Sequence, residues 1–175
     1  MVAVSLPSRV TTERLTLDLI SPEEAVRMRA GGRDQRWHPD YPRQDDRDAA
    51  SLVRRGDAWG PRHISRIFDG VVFGSIGFFG PPSPAAGSSS DGVTEAEIGY
   101  GLVSDARGRG VATEAVAALL VLTDVLGVRV RAAVAPENAA SIRVLVKCGF
   151  TELRGASEDG ELVMARPLPQ VVSGG

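Results

Sequence analysis

The chain has 175 residues, 43% of them hydrophobic, which suits a single globular domain over residues 1–175 with a core of its own. Its 22 acidic and 20 basic residues give a formal net charge of −2, so no basic face dominates and nucleic acid is not an expected partner. The one cysteine, Cys148, excludes an internal disulfide and fits a reducing cytoplasm.

Met1 to Val10 lacks the charged start and long apolar run of a signal peptide. Leu15-Thr16-Leu17-Asp18-Leu19 alternates as a strand does. Ser21-Pro22-Glu23-Glu24 combines an N-cap, a proline at the first helical position and first-turn acids, and it predicts a short helix to about Ala30, stopped at Gly31-Gly32. Residues 33 to 44 read as a loop carrying Trp37, His38 and Tyr41, and a second helix is expected from about Asp45 to Arg55. His63–Phe68 and Val71–Phe79 are strand runs around the turn pair Asp69-Gly70. Pro81 to Gly92, rich in Pro, Gly and Ser, is expected to be a flexible loop inside the domain. Glu95–Val103 reads as a strand, followed by a turn from Ser104 to Gly110 and a helix to about Leu126, closed by Gly127. That helix contains the longest apolar run, but Thr113, Glu114, Thr123 and Asp124 interrupt it, which fits a buried helix and not a membrane span. Val128–Ala135 is rich in β formers, Asn138–Lys147 is a short helix stopped by Gly149, and Thr151–Arg154 and Glu161–Ala165 are strands joined through Asp159-Gly160. The order β-α-α-β-β-β-α-β-α-β-β implies an α/β domain of the α+β type with a mixed, mostly antiparallel sheet. Only the unit from Glu97 to Ala135 must pair in parallel, if its strands are neighbours.

The stretch Arg107-Gly108-Arg109-Gly110-Val111-Ala112-Thr113-Glu114 sits between a strand and a helix. A helix start offers unpaired amides and positive potential. Glycines leave those amides open to a phosphate, Ala112 keeps the next turn clear, and Arg107 and Arg109 can add charge-assisted bonds. A surface turn with two arginines is the competing reading of this loop taken alone. A Walker loop is absent, because no Gly-Lys-Ser/Thr ending occurs. A dinucleotide fingerprint keeps Gly108 and Gly110 but has Thr113 where its third glycine belongs, although Glu137 follows the next strand. That weakens the dinucleotide reading without eliminating it; the third competing class of phosphate loop is the one that holds acyl-CoA.

Four pieces in order, Glu97-Ile98-Gly99-Tyr100-Gly101-Leu102, Arg107-x-x-Gly110-x-Ala112, Asn138-x-x-Ser141 and Gly149-Phe150, resemble the GNAT superfamily of N-acetyltransferases. The opening Thr12-Glu13-Arg14-Leu15-Thr16-Leu17 and the Asn-x-x-Ser pair are similar to its ribosomal-protein N-terminal acetyltransferase branch. The resemblance covers nearly the whole chain, strongly from Glu95 to Phe150 and weakly from Gly31 to Ala58. It implies a sheet flanked by helices with a V-shaped opening between two parallel strands, near Val103 and Val128. It implies acetyl-CoA as cosubstrate, with the pyrophosphate on Arg107, Gly108, Arg109, Gly110, Val111 and Ala112. The pantetheine arm would lie along the backbone of Leu102 and Val103 and against Asn138, and a backbone N–H there would polarise the acetyl carbonyl. The acceptor would be an amine, of a small molecule or a protein N-terminus, attacking the thioester directly with no metal and no covalent intermediate. A homodimer is a family-level expectation; a membrane is not an expected partner.

Glu97 is the candidate general base, on a strand face shared with Glu95, Gly99 and Gly101; a solvent-facing acid is the plain alternative. Asn138 is either a pantetheine ligand or a helix N-cap, and the two roles are compatible. Ser141 either protonates or binds the leaving thiolate, or is a helix serine bonded back to a carbonyl. Many members of the superfamily carry a tyrosine where this chain has Leu145, so a domain that binds acyl-CoA without turnover stays open, as does a dinucleotide-binding module. Cys148 is expected to be structural, His63 to pack, and Trp37, His38 and Tyr41 either to line the acceptor entrance or to anchor their loop.

Overall fold

The computed structural model describes residues 5–85 and 91–170. The described strands are β1 (Arg9–Thr11), β2 (Leu15–Leu19), β3 (Arg62–Arg66), β4 (Val72–Phe78), β5 (Ser83–Pro84), β6 (Thr94–Leu102), β7 (Arg129–Val134), β8 (Glu152–Ala156) and β9 (Leu162–Arg166). The helices are α1 (Pro22–Arg29), α2 (Gln44–Ala50), α3 (Val111–Val125) and α4 (Ala139–Lys147). The strands form one sheet in the order β1-β2-β3-β4-β6-β7-β9-β8, with β5 added to β6. Every pair is antiparallel except β6 with β7. The mixed, mostly antiparallel sheet with one parallel pair is therefore as the sequence implies.

Local chemistry explains most element boundaries. Ser21 and Glu24 form a reciprocal capping box at the start of α1, satisfying amides that a helix leaves unpaired. Leu15 and Leu17 in β2 point into the core while Thr16 and Asp18 do not, as period-two alternation demands. Val111, Ala115, Val116, Leu119 and Leu120 bury one face of α3, and Glu114 lies outside that stripe. Asn138 Oδ1 accepts the Ser141 amide at 3.1 Å and so starts α4.

Two boundaries differ from the sequence reading, and two short strands are added to it. The helix expected to reach Arg55 ends at Ala50, where the hydroxyl of Ser51 folds back onto the Asp48 carbonyl. The first strand of the β3–β4 hairpin ends at Arg66 rather than Phe68, and Ile67–Gly70 make the turn with Phe68 95% exposed. β1 and β5 are additional; each is too short to carry a readable period. β5 lies inside the stretch read as a flexible loop, of which residues 86–90 fall outside the described residues.

The feature that positions the site is where the parallel pairing stops. Register between β6 and β7 runs from Glu95↔Arg129 to Glu97↔Arg131 and no further. From Ile98 to Leu102, β6 keeps only its antiparallel partner β4. The two parallel strands thus part in a V, with α3 and α4 covering one face of the sheet there. Among the described residues, no helix is long and apolar enough to cross a membrane.

Candidate functional site

The loop leading into α3 has the geometry of an anion cradle. Gly108 and Gly110 both adopt positive φ, 73° and 74°, which turns successive amides toward one side; Gly110 is the N-cap of α3. The first amide to bond back within the helix is Glu114, to the Gly110 carbonyl at 3.0 Å. The amides of Val111, Ala112 and Thr113 before it are the free donors of a helix start. Arg107 and Arg109 are exposed beside them, with Arg107 Nε on the Leu102 carbonyl at 3.2 Å. A further arginine comes from the other end of the chain. Arg14 donates to the Arg109 carbonyl at 3.1 Å and pairs with Glu114 at 2.6 Å. Thr12 completes this clamp through a 2.6 Å bond to the same carboxylate. Burial pushes the Glu114 carboxyl up, but Thr12 and Arg14 outweigh it and hold the group below its ordinary range.

The edge of β6 supplies the next polar groups. The Val103 N–H donates to Phe73 at 2.9 Å, and the Glu97 carbonyl accepts from Phe79 at 3.0 Å, so odd-numbered residues of β6 face β4. Alternation turns the N–H and C=O of Tyr100 and Leu102 to the other side, where β7 has already departed. Val103 was expected to share this role. It does not, because its N–H is committed to Phe73 and its carbonyl accepts from Ala106. Among the described residues, the free backbone edge is therefore Tyr100 and the N–H of Leu102, whose carbonyl accepts from Arg107.

A cavity of about 550 Å³ occupies the V and reaches both faces of the sheet, a volume ordinary for a small-molecule site. On the α4 face it is lined by Asn138, Ser141 and Leu145, and by Tyr100 from β6. The Tyr100 hydroxyl lies 2.8 Å from Ser141 Oγ and 3.3 Å from the Ser141 carbonyl. Sequence reasoning did not single out Tyr100; alternation placed it opposite Glu97, but only the fold brings its phenol to Ser141.

On the opposite face the lining is acidic. Glu97, Glu161, Asp45, Asp46 and Asp48 face the cavity with a single cation, Arg43. Arg43 is held by Asp46, which is fully buried and also accepts from Ser75. The Arg43 guanidinium lies over Gly101, where a Cβ would collide with it. A side chain at Gly101 would have to displace this guanidinium, and one at Gly99 would press on the ring of Phe79. Glu97 borders this cavity and a smaller one of about 250 Å³ under β5. Its Oε2 lies 3.2 Å from Arg131; Oε1 has no partner among the described residues. Glu95, on the same strand face, is instead buried between Arg129 at 2.5 Å and Arg154 at 2.7 Å, so it serves the sheet and not the cavity.

The remaining candidates lie away from the cavity. Trp37, Tyr41 and His63 form a buried aromatic cluster, with the Tyr41 hydroxyl 2.8 Å from His63 Nδ1, so they anchor the 33–44 loop. His38, Asp40 and Asp105 approach one another within 4.8 Å. However, His38 Nδ1 accepts the Asp40 amide at 3.1 Å, which puts the proton on Nε2, facing Asp105. A metal-ligating imidazole needs the reverse arrangement, donating from its outer nitrogen. Burial pushes the Cys148 thiol up, and its sulfur rests on the Thr113 carbonyl, the setting of an inert thiol.

Residues 14–151 match the protein family described as "Acetyltransferase (GNAT) domain". Among solved structures, the chain is similar to a protein of Bordetella pertussis assigned to the GnaT acetyltransferases, with 26% identity and a TM-score of 0.65 over 92% of this chain and 100% of that one. It is also similar to RimJ of Mycobacterium smegmatis, determined in complex with CoA-disulfide, with 26% identity and a TM-score of 0.57 over 86% and 80% of the two chains. The ribosomal-protein-S5-alanine acetyltransferase of Vibrio fischeri shares the fold, at 16% identity and a TM-score of 0.61 over 93% and 97%. No curated protein matches the chain.

Proposed function

Because this chain belongs to the GNAT acetyltransferase family, we propose that it moves an acetyl group from acetyl-CoA to a primary amine, either a protein N-terminal α-amine or that of a small molecule. The observation that carries this reading is the continuity of three parts. An anion cradle at Arg107–Ala112 leads to a free strand edge at Tyr100 and Leu102, which opens into a cavity crossing the sheet at the V. The CoA bound to the RimJ relative supports acyl-CoA as the donor.

The pyrophosphate sits on the amides of Val111, Ala112 and Thr113 with Arg107 and Arg109 beside it. Pantetheine runs along Tyr100 and Leu102 and past the free Asn138 amide nitrogen. The N–H of this edge nearest the thioester, that of Tyr100, polarises the acetyl carbonyl. The amine enters from the acidic face, where five carboxylates, one held by Arg43 and one met by Arg131, favour a cation over an anion. Glu97, through Oε1, which has no partner among the described residues, takes the amine proton directly or through a water. The C–N bond forms, the C–S bond breaks, and its electron pair leaves on sulfur. An α-amine, with a pKa of about 7.7–8.0, asks less of that base than a lysine at about 10.4.

The test is titration with acetyl-CoA and with NAD, followed by turnover on a panel of peptides with free N-termini and small amines. Micromolar acetyl-CoA binding with amine-dependent CoA release is expected. Acetyl-CoA binding without turnover on any amine would leave a binding domain, and NAD binding without acetyl-CoA binding would remove the acyl-CoA reading.

A further inference from the structure

Within the cavity, one side-chain pair has no role in the scheme above. Tyr100 projects from the part of β6 that β7 no longer covers, and Ser141 projects from the first turn of α4. They meet at 2.8 Å between strand and helix, and both border the cavity. The neighbouring wall position, Leu145, is 1% exposed and offers no proton. The phenol has two acceptors within reach, Ser141 Oγ and the Ser141 carbonyl. A phenol is a better donor than an aliphatic hydroxyl. With the phenol donating, the serine proton is left without a partner among the described residues and free to turn into the cavity.

We propose that Tyr100 is a positioning residue for the leaving group: by donating to Ser141 Oγ it fixes that hydroxyl as a hydrogen-bond donor to the departing CoA sulfur. This rests on the acyl-CoA reading of the site. As the C–S bond breaks, its electron pair moves onto sulfur, and the charge is met by the Ser141 O–H rather than by a full proton transfer. The acidities require this division. A thiol, with cysteine as guide, has a pKa of about 8.5 and a phenol about 10, so the thiolate does not remove the phenol's proton. Burial pushes the Tyr100 phenol up against the opposing pull of Ser141, which keeps it protonated, and thus a donor, at neutral pH. Two linked donors polarise one another, so the pair is a stronger thiolate ligand than a lone serine.

The experiment follows the thiolate absorbance of CoA bound to the wild-type chain, Tyr100→Phe, Ser141→Ala and the double variant, with kcat and KM for acetyl-CoA measured in parallel. Bound CoA is expected to titrate about one pH unit below free CoA in the wild type, and each variant should return it toward the free value. In Tyr100→Phe, kcat should fall about tenfold with the acetyl-CoA KM nearly unchanged. The double variant should lose no more than Ser141→Ala alone, since the phenol acts only through the serine. The loss should also shrink with acetyl thioesters of more acidic thiols. A wild-type thiol titration in Tyr100→Phe, or additive losses in the double variant, overturns the proposal while leaving the acetyltransferase reading intact. Failure of CoA to bind the wild-type chain overturns both. Ser141→Ala reads the same pair from its other member, so a poorly folding Tyr100→Phe does not remove the test.

Discussion

The two faces of the sheet build their halves of the site from different materials. On the α3–α4 face the anion cradle and the β6 edge are main-chain amides, placed by two left-handed glycines and by the end of a strand pairing. On the α2 face the lining is side chains, and they come from α2, β4, β6 and the segment before β9. Backbone donors tolerate sequence change as long as the turn survives, so one short motif specifies them. A side-chain face depends on several distant segments arriving together, and each can vary with the acceptor. On the proposed reading, the donor half serves a fixed cosubstrate and the acceptor half a particular amine.

Substitutions can break this division. The largest effect is expected from Glu97→Gln, which keeps the size and removes the proposed base. kcat should fall by roughly 10²–10⁴-fold, with acetyl-CoA affinity retained and the loss shrinking as pH rises. A wild-type rate near pH 7 would assign Glu97 to its Arg131 contact alone. Next is Gly110→Asp, which sets a negative charge at the start of α3, where the pyrophosphate must approach. An unfavourable charge there is worth up to about 2 kcal/mol, or roughly 30-fold in acetyl-CoA affinity. Gly110→Asn, which tolerates the same positive φ better than most residues, should lose much less. Equal losses would mean that backbone strain, not charge, is responsible.

Gly101→Ala sharpens the comparison from the other face. The new methyl would strike the Arg43 guanidinium, so Arg43 must leave Asp46 or the strand must shift. A cost of about 1–3 kcal/mol is expected for such overpacking, seen as a lower Tm and a raised KM for the amine, with acetyl-CoA affinity little changed. A donor-side defect alone would contradict the assignment of this face. The smallest effect is expected from Glu114→Gln, which loosens the clamp to Thr12 and Arg14 by about 0.2–1 kcal/mol. Because the folded protein holds this carboxyl below its ordinary range, its contribution is present above about pH 4.5, the ordinary glutamate value, and is lost as pH falls through the lowered folded value. The Tm difference between wild type and variant should therefore vanish in acid; a difference that persists would point to packing.

How legible each part was follows the same physics. Ser21-Pro22-Glu23-Glu24 announced α1 because its caps are local, and Asn138 announced α4 for the same reason. The cradle at Arg107–Ala112 was legible because glycines and a helix start are contiguous in sequence. Val103 was misread: which strand residues face a neighbour depends on register with β4, and register is a tertiary fact. Tyr100 was passed over because its partner Ser141 lies on another element, and between the two readings of the aromatic loop only the fold chose the anchoring one, with Tyr41 turned inward to His63.

The sequence by itself determined the order of the longer elements, the mixed character of the sheet and the glycine turn that opens α3, because each rests on hydrophobic period, caps and turns spanning a few residues. Only the tertiary structure decided where β6 and β7 part, which brings Tyr100 to Ser141, lays Arg43 over Gly101 and joins Arg14 to Glu114 beside the cradle. Those contacts link positions far apart in the chain, and no local preference encodes a distance between segments that only the packed core brings together.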